Sequence, residues 1–203
     1  MKVTRLEPQK KHTTRYNCFI DGDFFEGLDQ NTVALFRLYV DKELTQEDCD
    51  AIRACEVTEK LHARMVRYLS RYRKTVADAK KYILGLGYSE KAAEEEITRL
   101  CAYKFLNDHQ YALDFIAGHP SCGARLLRVK LQQKGIPRDI IDETVGADDT
   151  EMLKTLARKK WKTVKDKPNA SEKLMRFCLS RGYSYEDVKD VIQYVINEEY
   201  DID

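Results

Sequence analysis

Three glycines, Gly87, Gly135 and Gly182, stand 48 and 47 residues apart, each at the centre of a related stretch. No other feature constrains the fold of this chain as strongly. The stretches read TVADAKKYILGLGYSEKAA, GARLLRVKLQQKGIPRDII and ASEKLMRFCLSRGYSYEDV. Aligned on the glycine, Ala79, Leu127 and Leu174 lie eight residues before it, and Ile83, Leu131 and Leu179 form the next apolar row. Tyr88, Ile136 and Tyr183 follow the glycine directly. Ala93, Ile141 and Val188 come six residues after it, and Ile97, Val145 and Ile192 ten after it. Apolar residues four apart share one face of a helix. Each stretch therefore reads as a helix, a stop and a second helix, with the glycine in the left-handed conformation that ends the first. Ser89 and Ser184 suit the caps of the second helices, and Pro137 suits a first turn.

A further helix follows the first two copies, opening at Asn107-Asp108 and at Asp148-Asp149. The third copy runs out at Asp203, so its third helix is expected to be missing or vestigial. One helix pair cannot bury its apolar face, whereas stacked pairs can. The expected fold is mainly α: tandem three-helix repeats in an elongated, curved array, spanning residues 57–119, 120–167 and a truncated 168–203. Residues 1–56 read differently, as a small β-hairpin-plus-helix extension. Tyr16–Leu28 holds two aromatic and apolar runs around Asp21-Gly22-Asp23, a hairpin signal. A third strand is expected at Val3–Leu6, a short helix over Asn31–Val40, and another helix capped by Thr45 with Asp48 at its third position. The segment from Val57 to Tyr72 carries a helical apolar stripe.

Bulk charge excludes little, because the formal net charge is only +1 although charged residues make up 34% of the chain. Its distribution says more. Residues 61–167 hold 22 Lys and Arg against 14 Asp and Glu, while acids exceed bases on both sides. A surface that attracts an acidic partner is therefore expected in the middle. The start of the chain lacks the apolar stretch of a signal peptide, and no run approaches the roughly 18 apolar residues of a membrane span. The six cysteines form no CxxC pair. A cytosolic protein with reduced thiols and no membrane association is expected, with Cys101 and Cys178 as core thiols in apolar stripes.

Catalysis finds little support. The four histidines are scattered, and HExxH, GxSxG and a phosphate-cradling GxxxxGK[ST] are all missing from the sequence. Asp108-His109 reads as a helix cap beside a surface imidazole. LGLGYS is a helix stop rather than a dinucleotide loop, since no strand precedes it and the third glycine is absent. No cofactor or metal is expected. Three basic segments are more telling: ARMVRYLSRYRK, RLLRVKLQQK and ARKKWKTVKDK. Any one of them suits a solvated helix face. Three in one repeat array suit a track for phosphates or for an acidic protein groove. Trp161, amid lysines, could stack on a base, but Leu153, Leu156, Ala157 and Val164 share its face and make it the core anchor of its helix.

The ordered set of stretches resembles the RecX family of RecA regulators. RYLSRYRKT followed by LGYS, then Leu106–Ile116, then GARLLRVKLQQKGI, are similar to that family's signature stretches in the same order. The N-terminal VTRLEPQKK…YNCFIDGDFFEGL is similar to an extension of some bacterial members. The resemblance implies a non-enzymatic, monomeric modulator that binds the RecA filament on single-stranded DNA, lies in its groove and blocks its growth, lowering strand exchange and co-protease activity. The residues expected to face RecA or DNA are Arg67, Arg71, Arg73, Arg125, Arg128, Lys130, Lys134, Arg158, Lys160 and Lys162. The rival readings are an independent DNA- or RNA-binding helical array, a structural adaptor and an enzyme. Loss of affinity with rising salt marks a phosphate binder, whereas a filament-specific binder needs RecA present.

Overall fold

Asp21 and Gly22 both have positive φ, 49° and 96°, as a two-residue turn between twisted antiparallel strands demands. The turn joins β2 (His12–Ile20) to β3 (Asp23–Asp29), and β1 (Val3–Gln9) pairs antiparallel with β2, giving the order β1-β2-β3. The first strand is longer than its sequence signal. The computed structural model describes residues 1–10 and 12–200. Two compact units are present: residues 1–72 with 87–105, and residues 73–86 with 106–200.

In the first unit the sheet packs on α1 (Gln30–Leu35) and α2 (Gln46–Leu69). Val3, Cys18, Ile20, Leu28, Leu38, Leu44, Cys49 and Ile52 form the core. The expected helix over Asn31–Val40 stops early, because Phe36 caps it and Arg37 turns left-handed at φ 46°. Thr45 and Asp48 do form the reciprocal capping box, worth about 1 kcal/mol. The helix they open runs on through the Val57–Tyr72 stripe as one 24-residue element. Its buried polar edge ties the unit together. Glu56, 1% exposed, accepts from Arg15 at 2.5 Å, from the Asp29 amide at 2.8 Å and from the Thr32 hydroxyl. Farther along, His62 Nδ1 lies 2.8 Å from Glu96 Oε1, and Arg99 reaches Glu59 at 2.6 Å. Glu96 and Arg99 sit on α4 (Glu90–Ala102).

The second unit contains α3 (Val76–Gly85), α5 (Asp108–Ala117), α6 (Ala124–Gln133), α7 (Arg138–Thr144), α8 (Thr150–Val164), α9 (Ala170–Ser180) and α10 (Tyr185–Tyr200). Asn107 and Asp149 cap α5 and α8 as expected. Gly87, Gly135 and Gly182 all have positive φ, between 76° and 88°, so the three helix stops are real. The packing joins the copies in a different phase from the sequence. Ala112 and Phe115 of α5 pack on the α6–α7 pair through Leu127, Leu131, Ile136, Ile141 and Val145. Leu153 and Ala157 of α8 pack with Leu174, Cys178, Tyr183, Val188, Val191, Ile192 and Val195. Each bundle therefore takes the helix that precedes its pair. The third pair is covered by α8.

Three further expectations fail. Four residues before Gly182 stands Cys178, fully buried, while Leu179 one residue later is 37% exposed, because the helical period brings the fourth residue back to the core face. Cys101 is exposed, not a core thiol, although Cys178 is one. Trp161 packs against the third bundle, partly buried, as its helix face required. Asp108 is not a plain cap either: it is 8% exposed and bonds the Val76 amide, while His109 remains on the surface near Glu143.

Candidate polyanion-binding surface

Among the described residues, the basic side chains singled out in the sequence separate into those with an internal partner and those without one. Arg158 donates to both oxygens of Glu198, at 2.7 and 3.0 Å, and stands over Tyr194. The bond to Arg158 holds the Glu198 carboxyl below its usual range. Arg128 donates to Asp142 and to the Val145 carbonyl, both at 2.8 Å, so it closes the end of α7. Arg73 pairs with Asp114 at 3.1 Å. Lys130 is half-buried with its ammonium 3.9 Å from Cys122 Sγ. Arg67 lies in the last turn of α2, where a cation complements the helix dipole, and Arg71 follows it; both are exposed and belong to the first unit. Arg125, Lys134 and Lys162 are exposed in the second unit.

One place in the second unit gathers cations around a cleft. Lys159, Lys160, Thr163 and Leu156 of α8, Phe177 of α9, Arg181 beyond it and Ser121 line a groove of about 390 Å³. None of these residues is acidic. Lys160 Nζ lies 5.1 Å and Arg181 Cζ 5.3 Å from the centre of the Phe177 ring. The ring holds both cations by its negative face, which draws two long side chains to one spot without neutralising them. Helix α8 supplies its lysines as neighbours in sequence, while the turn between α9 and α10 brings Arg181 across. The start of α6 lies against that turn: the Gly123 amide donates to the Arg181 carbonyl at 2.9 Å and the Arg125 amide to the Gly182 carbonyl at 3.2 Å.

Of the ten residues expected from sequence, the structure thus brings Lys160 into this groove, with Arg125 on the segment beside it, and diverts Arg73, Arg128 and Arg158 into ion pairs. Arg181 and Phe177 were missed. A signal for Arg181 existed: the residue before the repeat glycine is basic in the second and third copies, Lys134 and Arg181. The groove can bind an extended polyanion by charge and hydroxyl groups. Among the described residues no group of three or more His, Cys, Asp and Glu side chains could hold a metal ion. No helix among the described residues is long and apolar enough to cross a membrane.

Comparison with known proteins agrees with this architecture. The model of the regulatory protein RecX N-terminal domain matches residues 1–45, and that of the RecX third three-helix domain matches residues 147–192. The second match begins just before α8, in the phase that the packing shows. The regulatory protein RecX of Clostridium botulinum strain Alaska E43 is 31% identical over 208 residues, covering 98% of each chain, and that of strain Eklund 17B is 32% identical over 207 residues with the same coverage. A solved structure described as the crystal structure of regulatory protein RecX superimposes with a TM-score of 0.82 at 25% identity, covering 94% of this chain and 98% of that one.

Proposed function

Because the chain belongs to the RecX family of regulatory proteins, we propose that it is a non-enzymatic regulator of RecA. In this reading it binds the RecA filament on single-stranded DNA and inhibits filament growth, and with it ATP hydrolysis, strand exchange and co-protease activity. It acts in the cytoplasm, as a monomer, in the control of DNA repair. The observation that carries the reading is the acid-free basic groove around Phe177, on a helical array whose relatives are named as regulators. A RecA filament on DNA offers phosphates, and the groove offers cations that no acid among the described residues pairs with. Arg125 lies on the segment beside the groove, whereas Arg128 and Arg158 serve the fold.

The test is the double variant Lys160→Ala/Arg181→Ala. Exposed charges contribute little to stability, so the melting temperature should stay within a few degrees, while engagement of the RecA–DNA filament weakens at least several-fold. Unaltered filament affinity in the folded variant would remove the groove from the account. The alternative, an independent nucleic-acid binder, predicts equal affinity with and without RecA, and affinity that falls linearly with the logarithm of salt concentration.

A further inference from the structure

The second unit contains two joints built from the same parts. In the first, the start of α3 meets the turn between α6 and α7. Thr75 Oγ1 donates to the Lys134 carbonyl at 2.9 Å, and the Val76 amide donates to Asp108 Oδ1 at 2.9 Å. In the second, the start of α6 meets the turn between α9 and α10. The Gly123 and Arg125 amides bond the Arg181 and Gly182 carbonyls. The Ala124 amide donates to Asp148 Oδ1 at 2.6 Å, and the Ser184 amide to Asp148 Oδ2 at 2.9 Å. Thr75 and Gly123, Val76 and Ala124, Lys134 and Arg181 stand one repeat apart. Asp108 and Asp148 do not: they are 40 residues apart, although each accepts the first amide of the helix that opens its joint.

The second joint explains why an aspartate is needed. A helix start leaves its first amides without partners, and a Ser, Thr, Asp or Asn cap normally satisfies one of them. Here the cap position is Gly123, with no side-chain bond. It has to be glycine, because a Cβ would lie 2.5 Å from the Gly182 carbonyl carbon and the Tyr183 nitrogen. The close approach of the two segments thus removes the cap, and Asp148 supplies it from the adjoining loop. Its second oxygen takes the Ser184 amide, just before α10. A single carboxylate therefore holds the starts of two helices from different pairs.

We propose that Asp148 is a positioning residue, a carboxylate clasp that locks the start of one helix pair to the turn of the next, and that it in this way keeps Arg125 in fixed register with Arg181 and the groove beside Phe177. The functional half of this inference rests on the reading of the groove as the filament-facing surface. The mechanical half does not.

Residue-resolved amide hydrogen exchange on the full chain separates the two. In Asp148→Ala the amides of Ala124 and Ser184 lose their acceptor and must exchange faster whatever the role. The amides of Gly123 and Arg125 do not touch Asp148, since their acceptors are the Arg181 and Gly182 carbonyls. A clasp predicts that all four accelerate together, at least tenfold, while amides within α8 keep their protection. Acceleration confined to Ala124 and Ser184 would make Asp148 a local cap and overturn the inference. Asp148→Asn keeps one acceptor oxygen, and the same four amides should respond in it, less strongly; it also serves if the alanine variant fails to fold, with the same criterion. RecA-dependent ATP hydrolysis gives the functional readout: half-inhibition should need at least several-fold more Asp148→Ala protein. Unchanged half-inhibition alongside joint opening would refute the link between register and function. Failure of the parent protein to inhibit would instead sink the proposed function and leave the exchange result standing.

Discussion

Substituting the three repeat glycines by alanine separates backbone strain from close packing. All three are left-handed, so each Gly→Ala change places a Cβ where it crowds the following carbonyl, a cost of about 1–2 kcal/mol. At Gly87, φ 88°, nothing lies within 4 Å of the new Cβ, so strain is the whole cost. At Gly182, also φ 88°, the Cβ would fall on the backbone nitrogen and Cβ of Leu126 and 2.9 Å from its Cα. Helix α6 would have to retreat, and overpacking of this kind adds roughly 1–3 kcal/mol. Gly182→Ala should therefore cost about 2–5 kcal/mol. At Gly135, φ 76°, the obstacle is Ala77 Cβ alone, with its Cα at 3.9 Å, so the cost is intermediate and can be relieved. Urea denaturation of the three variants should rank them Gly87, Gly135, Gly182 in rising cost. A double-mutant cycle of Gly135→Ala with Ala77→Gly should show a favourable coupling of roughly 1–2 kcal/mol, because the second change deletes the atom in the way. Equal destabilisation at Gly87 and Gly182, or additivity in the cycle, would mean that the turns do not seat on the neighbouring helix starts.

Arg128→Ala should cost about 1 kcal/mol, a hydrogen-bonded charge discounted for its exposed setting, and leave filament affinity unchanged; a normal melt with weakened binding would return Arg128 to the interface. Burial raises the Glu96 carboxyl above its ordinary value, opposed by His62 and Arg99. A raised acid favours the fold below its unfolded pKa of about 4.3, and that contribution is lost as pH rises through the folded value. Urea midpoints of the parent should therefore fall relative to Glu96→Gln as pH rises above about 4, and parallel curves would contradict the buried pair. Under native conditions a thiol reagent should modify exposed Cys101 quickly and spare Cys18 and Cys178, whose thiols burial pushes up to about 11; mass spectrometry of the early product would show the reverse if the burial were wrong.

The helices and their stops were legible because they follow from local chemistry: glycine at the left-handed position, Asn107, Thr45 and Asp149 at caps, apolar rows at helical spacing. The phase of the bundles was not. Helix α8 carries its apolar face between two pairs in the sequence, and only packing shows that Leu153 and Ala157 meet Leu174 and Val188. The candidate surface was half legible. A basic run marks a helix, but whether a cation is free depends on acids far along the chain. Arg158 is spent on Glu198 forty residues later, and Arg128 on Asp142 and a carbonyl. Asp108 looked like a cap because its part in the joint is played against Val76, thirty-two residues upstream.

The central claim is regulation of RecA, and ATP hydrolysis by RecA on single-stranded DNA tests it most directly. With the protein titrated in, the account predicts that hydrolysis falls when the protein is a small fraction of RecA, since a regulator that stops filament growth acts on ends and gaps rather than on every subunit. An unchanged rate, even at equimolar protein, would contradict it.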